Sequence, residues 1–155
     1  METTQPNLKG VITDYLNEAI MMQLATVADS KPWICNVWFA ADEDLNIYWI
    51  SSTTRRHSAE VANNPNVAAA ICLPQTPADV PRGIQLEGIA EELTNPSDIE
   101  TAIKYFAGRI FSPEQIKNFM SNPERPHMFY RIKPSKIMLM DAVNFPENPS
   151  QEYRP

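Results

Sequence analysis

Residues 23–58 read QLATVADSKPWICNVWFAADEDLNIYWISSTTRRHS, and this stretch decides how the chain folds. Three apolar runs, Gln23–Ala28, Trp33–Ala40 and Asn46–Ile50, are separated only by Asp29-Ser30-Lys31-Pro32 and Asp42-Glu43-Asp44. Both connectors are made of turn-forming residues. The runs are rich in Val, Ile, Trp and Tyr, which suit a pleated, half-buried surface. A parallel pair needs a crossover of a dozen or more residues, so links this short make the sheet antiparallel. The middle run is apolar throughout except at Asn36, which predicts a strand covered on both faces.

Working outward, Asn7 to Met22 reads as a helix. Leu8, Val11, Ile12, Tyr15, Leu16, Ala19 and Ile20 recur at helical spacing, and Asn7 is placed to cap it. Downstream, Ser58–Asn63 predicts a short helix, Val67–Leu73 a strand, Pro74–Arg82 a loop, and Ile84–Leu93 a strand with a bulge or close approach at Gly88. Asn95-Pro96 and Ser112-Pro113-Glu114-Gln115 open two further helices, the second with the pattern of a capping box. His127–Lys133 and Ser135–Met140 read as two strands split by Pro134. Residues 142–155 hold three prolines and read as a tail, disordered or laid against the domain of residues 1–141. The expected fold is mainly β with a few helices: about seven antiparallel strands, which closure into a barrel would protect at their edges.

Composition narrows the function. The 155 residues are 43% hydrophobic and 21% charged, in keeping with one globular domain. A net charge of −6 argues against general nucleic-acid binding. No apolar run is long enough to span a membrane, and Met1–Lys9 lacks the features of a secretory signal. Cys35 and Cys72 stand far apart and read as reduced core residues of a cytoplasmic protein. The chain has 14 prolines and only 4 glycines, and neither a G-x-G-x-x-G turn nor a complete phosphate loop can be built from those four. A bound phosphate would have to be gripped largely by side chains.

Residues 51–58 supply such side chains. Two arginines and a histidine stand among five hydroxyl residues, and no acid occurs between Asp44 and Glu60. The octet follows a strand and precedes a helix start, a setting that suits a phosphate dianion. His57 is a candidate ligand contact, whereas His127 reads as structural. Trp33, Trp38, Phe39, Tyr48 and Trp49 read mostly as core. Asn36 and Gln85 are polar positions within apolar strands, where a ligand ring would satisfy their amides. Nothing here resembles a metal site or a nucleophile motif.

These residues, in this order, resemble the pyridoxamine 5′-phosphate oxidase-related family. The resemblance rests on Trp33–Ala40, Ile47–Ser51, Arg55-Arg56-His57-Ser58, Asn63-Asn64-Pro65 with Val67, and Arg82–Gly88, and it spans about residues 8–141. It implies the FMN-binding split barrel and an obligate homodimer with FMN in clefts between subunits. Arg56 and His57 match the basic pair that holds the FMN phosphate, although the oxidase commonly has lysine at the His57 position; Arg55, beside them in the octet, is a further candidate contact. Ile50 and Ser51 match cofactor contacts at a strand end. The strand containing Asn36, Val37 and Trp38 matches the one along the isoalloxazine ring, and Gln85 matches a polar position facing it. The oxidase has an arginine and a lysine near the places of Trp33 and Trp38, so pyridoxamine phosphate oxidation is not expected.

The resemblance therefore implies an FMN-dependent oxidoreductase acting on an unspecified small molecule or electron donor. Two alternatives stay open: a haem-handling protein with His57 or His127 as axial ligand, and a flavin-binding module without turnover. A deazaflavin in place of FMN is a variant of the first reading.

Overall fold

A computed structural model describes residues 6–155, so the first five residues of the segment expected to lack a secretory signal lie outside it. Helix α1 spans Leu8–Glu18 and is followed by β1 (Met21–Ala28), β2 (Lys31–Trp38), β3 (Ala40–Ala41) and β4 (Ile47–Ser52). Then come α2 (Arg56–Asn63), β5 (Asn66–Ile71), β6 (Arg82–Glu92), α3 (Pro96–Phe106), α4 (Pro113–Met120), β7 (His127–Asp141) and β8 (Ser150–Tyr153). All strand pairings are antiparallel, in the order β2-β1-β5-β6-β7-β4-β3, with β8 on β7. The sheet curls into a split barrel carrying four helices, the fold that the family resemblance implied, with the antiparallel pairing that the short links of residues 23–58 predicted.

Several local expectations are corrected. Helix α1 stops at Glu18, and Met21 and Met22 already pair with Trp38 and Val37. Asn7 precedes the helix but its side chain makes no capping bond. The capping box at Ser112 and Gln115 forms in full. The β1–β2 hairpin turns through Asp29 and Ser30, both at positive φ (51° and 59°), which is the backbone a two-residue hairpin demands.

The two strands expected around Pro134 are one, β7. Proline lacks an N–H, and it sits where β7 has only one neighbour to satisfy. Strand β4 pairs with residues 127–132 and β8 with residues 137–140, leaving Pro134 between them. On the other edge the β6 register shifts at Glu87/Gly88, opposite Pro134. Gly88 is required there, because a Cβ would lie 2.9 Å from Pro134 Cα and closer still to the Lys133 carbonyl oxygen.

Two-sided cover belongs to β4, not to β2. Ile47 and Trp49 face the barrel core with α1, Leu24, Ile132 and Leu139. Tyr48 faces a second cluster formed by Phe106, Ile116 and Phe129, where α3 and α4 close the outer side. Strand β2 has no such cover: Cys35 and Val37 pack partly against the core, and among the described residues nothing covers its other face. Its Trp33, Ile34 and Trp38 are 42%, 61% and 42% exposed. Of the five clustered aromatics, Phe39, Tyr48 and Trp49 are core, and the two tryptophans of β2 are not. Both cysteines are free, Cys35 half-buried and Cys72 exposed rather than in the core.

Candidate functional site

The site is assembled where β4 ends. Apolar β4 runs out at Ser51 and Ser52, the chain turns through Thr53–Arg55, and α2 begins at Arg56, two residues before the expected start. The turn is fixed by hydrogen bonds. Arg55 N donates to Ser52 O (3.1 Å), Thr53 N to Pro126 O (3.1 Å), and the Ser58 hydroxyl to Ser52 O (2.9 Å). The first amide bonded within the helix is Ala59, to Arg55 O at 3.1 Å, and Arg55 offers no side-chain cap. The N–H groups of Arg56, His57 and Ser58 therefore have no intrahelical acceptor, as the first turn of any helix requires.

Around this open helix end lies a cleft of about 490 Å³ between β2, β4, α2 and the start of β7. Of the nine residues selected from the sequence, eight line it: Asn36, Val37, Trp38, Ile50, Ser51, Arg55, Arg56 and His57. Gln85 does not. It lies on the exposed face of β6, in a separate cleft with Cys72, Arg82 and Met138. The register runs Asn36, Gln23, Ala70, Gln85 across β2, β1, β5 and β6, so three strand spacings separate the two amides. That is on the order of 14 Å at about 4.8 Å per strand. Neither amide is buried as the sequence pattern suggested; Asn36 Oδ1 accepts from Gln23 Nε2 at 3.2 Å.

His57 is buried, and its Nε2 lies 2.7 Å from Ser51 Oγ. Burial pushes its pKa below the usual histidine value, and nearby Arg55 pushes it the same way, against the opposing pull of Glu60. Arg56 is held on two sides. Its Nε bonds Glu60 Oε1 at 2.7 Å, and its guanidinium carbon stands 4.1 Å above the centre of the Trp33 ring. The Thr26 hydroxyl donates to the other Glu60 oxygen. That bond and the Arg56 guanidinium hold the Glu60 carboxyl below its ordinary range. Arg55 is exposed and has no ion-pair partner among the described residues.

Four further residues line the cleft: Ser52, which belongs to the polar octet, His127, which the sequence offered only as a haem ligand, and Trp33 and Cys35, which sequence reasoning did not select. His127, read as structural, stands opposite Ser52 in the β4–β7 register, with its Nδ1 2.8 Å from Arg125 O and its ring against Phe119. Only the strand pairing brings it there. Guanidinium, imidazole, hydroxyl and free amide donors stand at one end with an apolar wall beside them, a set whose chemistry suits a phosphate and a flat ring. Among the described residues no cluster of His, Cys, Asp or Glu could hold a metal ion, and no helix is long and apolar enough to cross a membrane.

The sequence profile described as pyridoxamine 5′-phosphate oxidase matches residues 8–141. The chain belongs to this family. Comparison with curated proteins gives no match. Among solved structures, General Stress Protein 26 of Bacillus anthracis is similar at TM-score 0.68 and 19% identity, covering 96% of this chain and 98% of that one. A haem-binding protein of Mycobacterium smegmatis is similar at TM-score 0.79 and 14% identity, covering 98% of this chain and 60% of that one. The haem storage protein HutZ of Vibrio cholerae is similar at TM-score 0.68 and 21% identity, covering 83% and 91%. At these identities the likeness is one of fold.

Proposed function

We propose that the cleft binds flavin mononucleotide and that the protein is a flavin-dependent oxidoreductase acting on a small molecule or electron donor. The observation that carries this reading is the convergence of Ser51, Arg55, Arg56 and His57 on the open first turn of α2, beside Val37, Trp38 and Ile50. The fit to a phosphate monoester is chemical. Arginine forks, an imidazole and hydroxyls match its oxygens, and the helix end adds unpaired N–H groups. Asn36, whose oxygen is engaged by Gln23, keeps its amide NH2 for a ring carbonyl. Bound flavin would supply hydride or electron transfer, while the protein positions it and excludes competing reactions.

In this reading the protein is a homodimer, with the cofactor at the subunit interface and Gln85 acting across it. The family relationship and the exposed apolar β2 support that arrangement. Arg56→Ala is expected to weaken FMN binding about tenfold or more, because a charged hydrogen bond is lost and a phosphate oxygen left unpaired. Riboflavin, which lacks the phosphate, should bind both forms alike. Unchanged FMN affinity in fluorescence titrations would sink the assignment. Reduction of bound FMN by NADH or NADPH separates an enzyme from a flavin store.

Haem binding is a second reading, favoured by the placement of both histidines on one cleft. A Soret band after haem addition, lost in His57→Ala or His127→Ala, would support it. A flavin spectrum in the purified protein would count against it.

A further inference from the structure

We infer that Glu60 and Trp33 are positioning residues that present Arg56 to the phosphate, and that the Glu60 charge holds anion affinity down. The inference rests on the FMN reading and extends it to Glu60, which does not line the cleft, and to Trp33, which lines it beside Arg56. Glu60 projects from α2 between β1 and the cleft and is almost fully buried. Thr26, itself buried, donates to one carboxylate oxygen, and Arg56 Nε donates to the other at 2.7 Å. The carboxylate is thus fixed from both sides, and it fixes Arg56 in turn. Trp33 covers one face of the guanidinium at 4.1 Å.

A guanidinium has five N–H donors in a planar fork. With Nε taken by Glu60 and one face against Trp33, the terminal edge, carrying the remaining four donors, is left for a ligand. Such an edge suits the bidentate grip by which arginine recognises phosphate. Without Glu60 and Trp33, the half-exposed Arg56 side chain would have its rotamers to lose on binding, a cost that pre-organisation removes.

The same carboxylate carries a negative charge beside the anion site. It offsets Arg56, leaving exposed Arg55 as the uncompensated cation beside a histidine that burial keeps neutral near pH 7. Position and charge therefore act in opposite directions on phosphate affinity, and two substitutions separate them. Glu60→Gln removes the charge while its amide still accepts from Arg56 and meets Thr26. Glu60→Ala removes both.

The test is titration of the full-length protein with FMN and with riboflavin, for wild type, Glu60→Gln, Glu60→Ala and Trp33→Leu, with circular dichroism confirming the fold. Glu60→Gln should bind FMN about threefold tighter than wild type, the scale of one solvent-screened unit charge at close range. Glu60→Ala should bind FMN about fivefold or more weaker than Glu60→Gln, and Trp33→Leu weaker than wild type by a similar factor, as lost pre-organisation and a lost stacking partner require. Riboflavin affinity should stay level across the Glu60 variants. Equal FMN affinity in Glu60→Gln and Glu60→Ala overturns positioning by Glu60, and weaker binding in Glu60→Gln than in wild type overturns the charge effect. Wild-type protein that binds neither flavin overturns the FMN reading together with this one. Should Glu60→Ala fail to fold, Thr26→Val, which keeps the charge and frees one side of the carboxylate, takes its place: it should bind FMN more weakly than wild type, and equal affinity overturns positioning by Glu60.

Discussion

His57 shows how one residue ties the site to stability. Burial and Arg55 lower its pKa in the folded chain from the ordinary 6.5. The unfolded chain therefore binds the proton more readily, and folding stability falls as pH drops below about 6.5. Above that value both states hold the ring neutral and the contribution vanishes. Denaturant midpoints measured from pH 7.5 to 5 should decline, and His57→Gln should flatten the upper part of that decline; an equal slope in the variant would show that other groups cause it. The octet around His57 was legible in the sequence because an uninterrupted polar run directly after an apolar strand has few structural explanations. Trp33 and Cys35 were not, since an apolar side chain in a strand reads the same whether it faces a core or a ligand. His127 is some seventy residues away, and only its pairing opposite Ser52 makes it a neighbour.

Elements are governed by what meets their ends and edges. The end of α1 is held by Arg109, in the linker between α3 and α4. Its guanidinium donates to Asn17 O at 2.7 Å, Leu16 O at 2.8 Å and Ala19 O, carbonyls that the helix leaves without partners. Arg109→Ala should destabilise the protein by about 2–3 kcal/mol, since these carbonyls lose charged hydrogen bonds in a partly buried place. Thermal unfolding checks the value, and a midpoint equal to wild type would refute it. Gly88→Ala should be more severe, because its methyl would press on the backbone of Lys133 and Pro134 rather than on a flexible side chain. Loss of about 3 kcal/mol or more is expected there, at the upper end for overpacking. The pattern of strands and turns was readable because each connector carried its own turn chemistry. The unity of β7 was not, because a proline reads as a break until the neighbouring strands are known to leave it free. The cover of β4 likewise depends on α3 and α4, which arrive more than forty residues later.

At the scale of the molecule, one chain leaves an apolar face uncovered. Ile34 and Trp38 lie outward on β2, with Val27 also exposed on β1. In the proposed dimer this face would be buried. Ile34→Asp should lower the mass in solution from two chains to one and weaken FMN binding with it, as sedimentation and titration would report. A monomeric wild-type protein would remove the basis for that arrangement.

The division of β7 between two partners has a consequence for the end of the chain. Strand β8 occupies the edge of Ile137–Met140 that β4 does not reach, and Tyr153 packs against the core. A chain cut after Asp141 would present those four residues with unpaired backbone groups and apolar side chains, a template for pairing with another copy. The terminus thus serves as a guard: its last strand keeps a sticky seam closed, and at four residues, Ser150–Tyr153, it is too short to offer a long seam of its own.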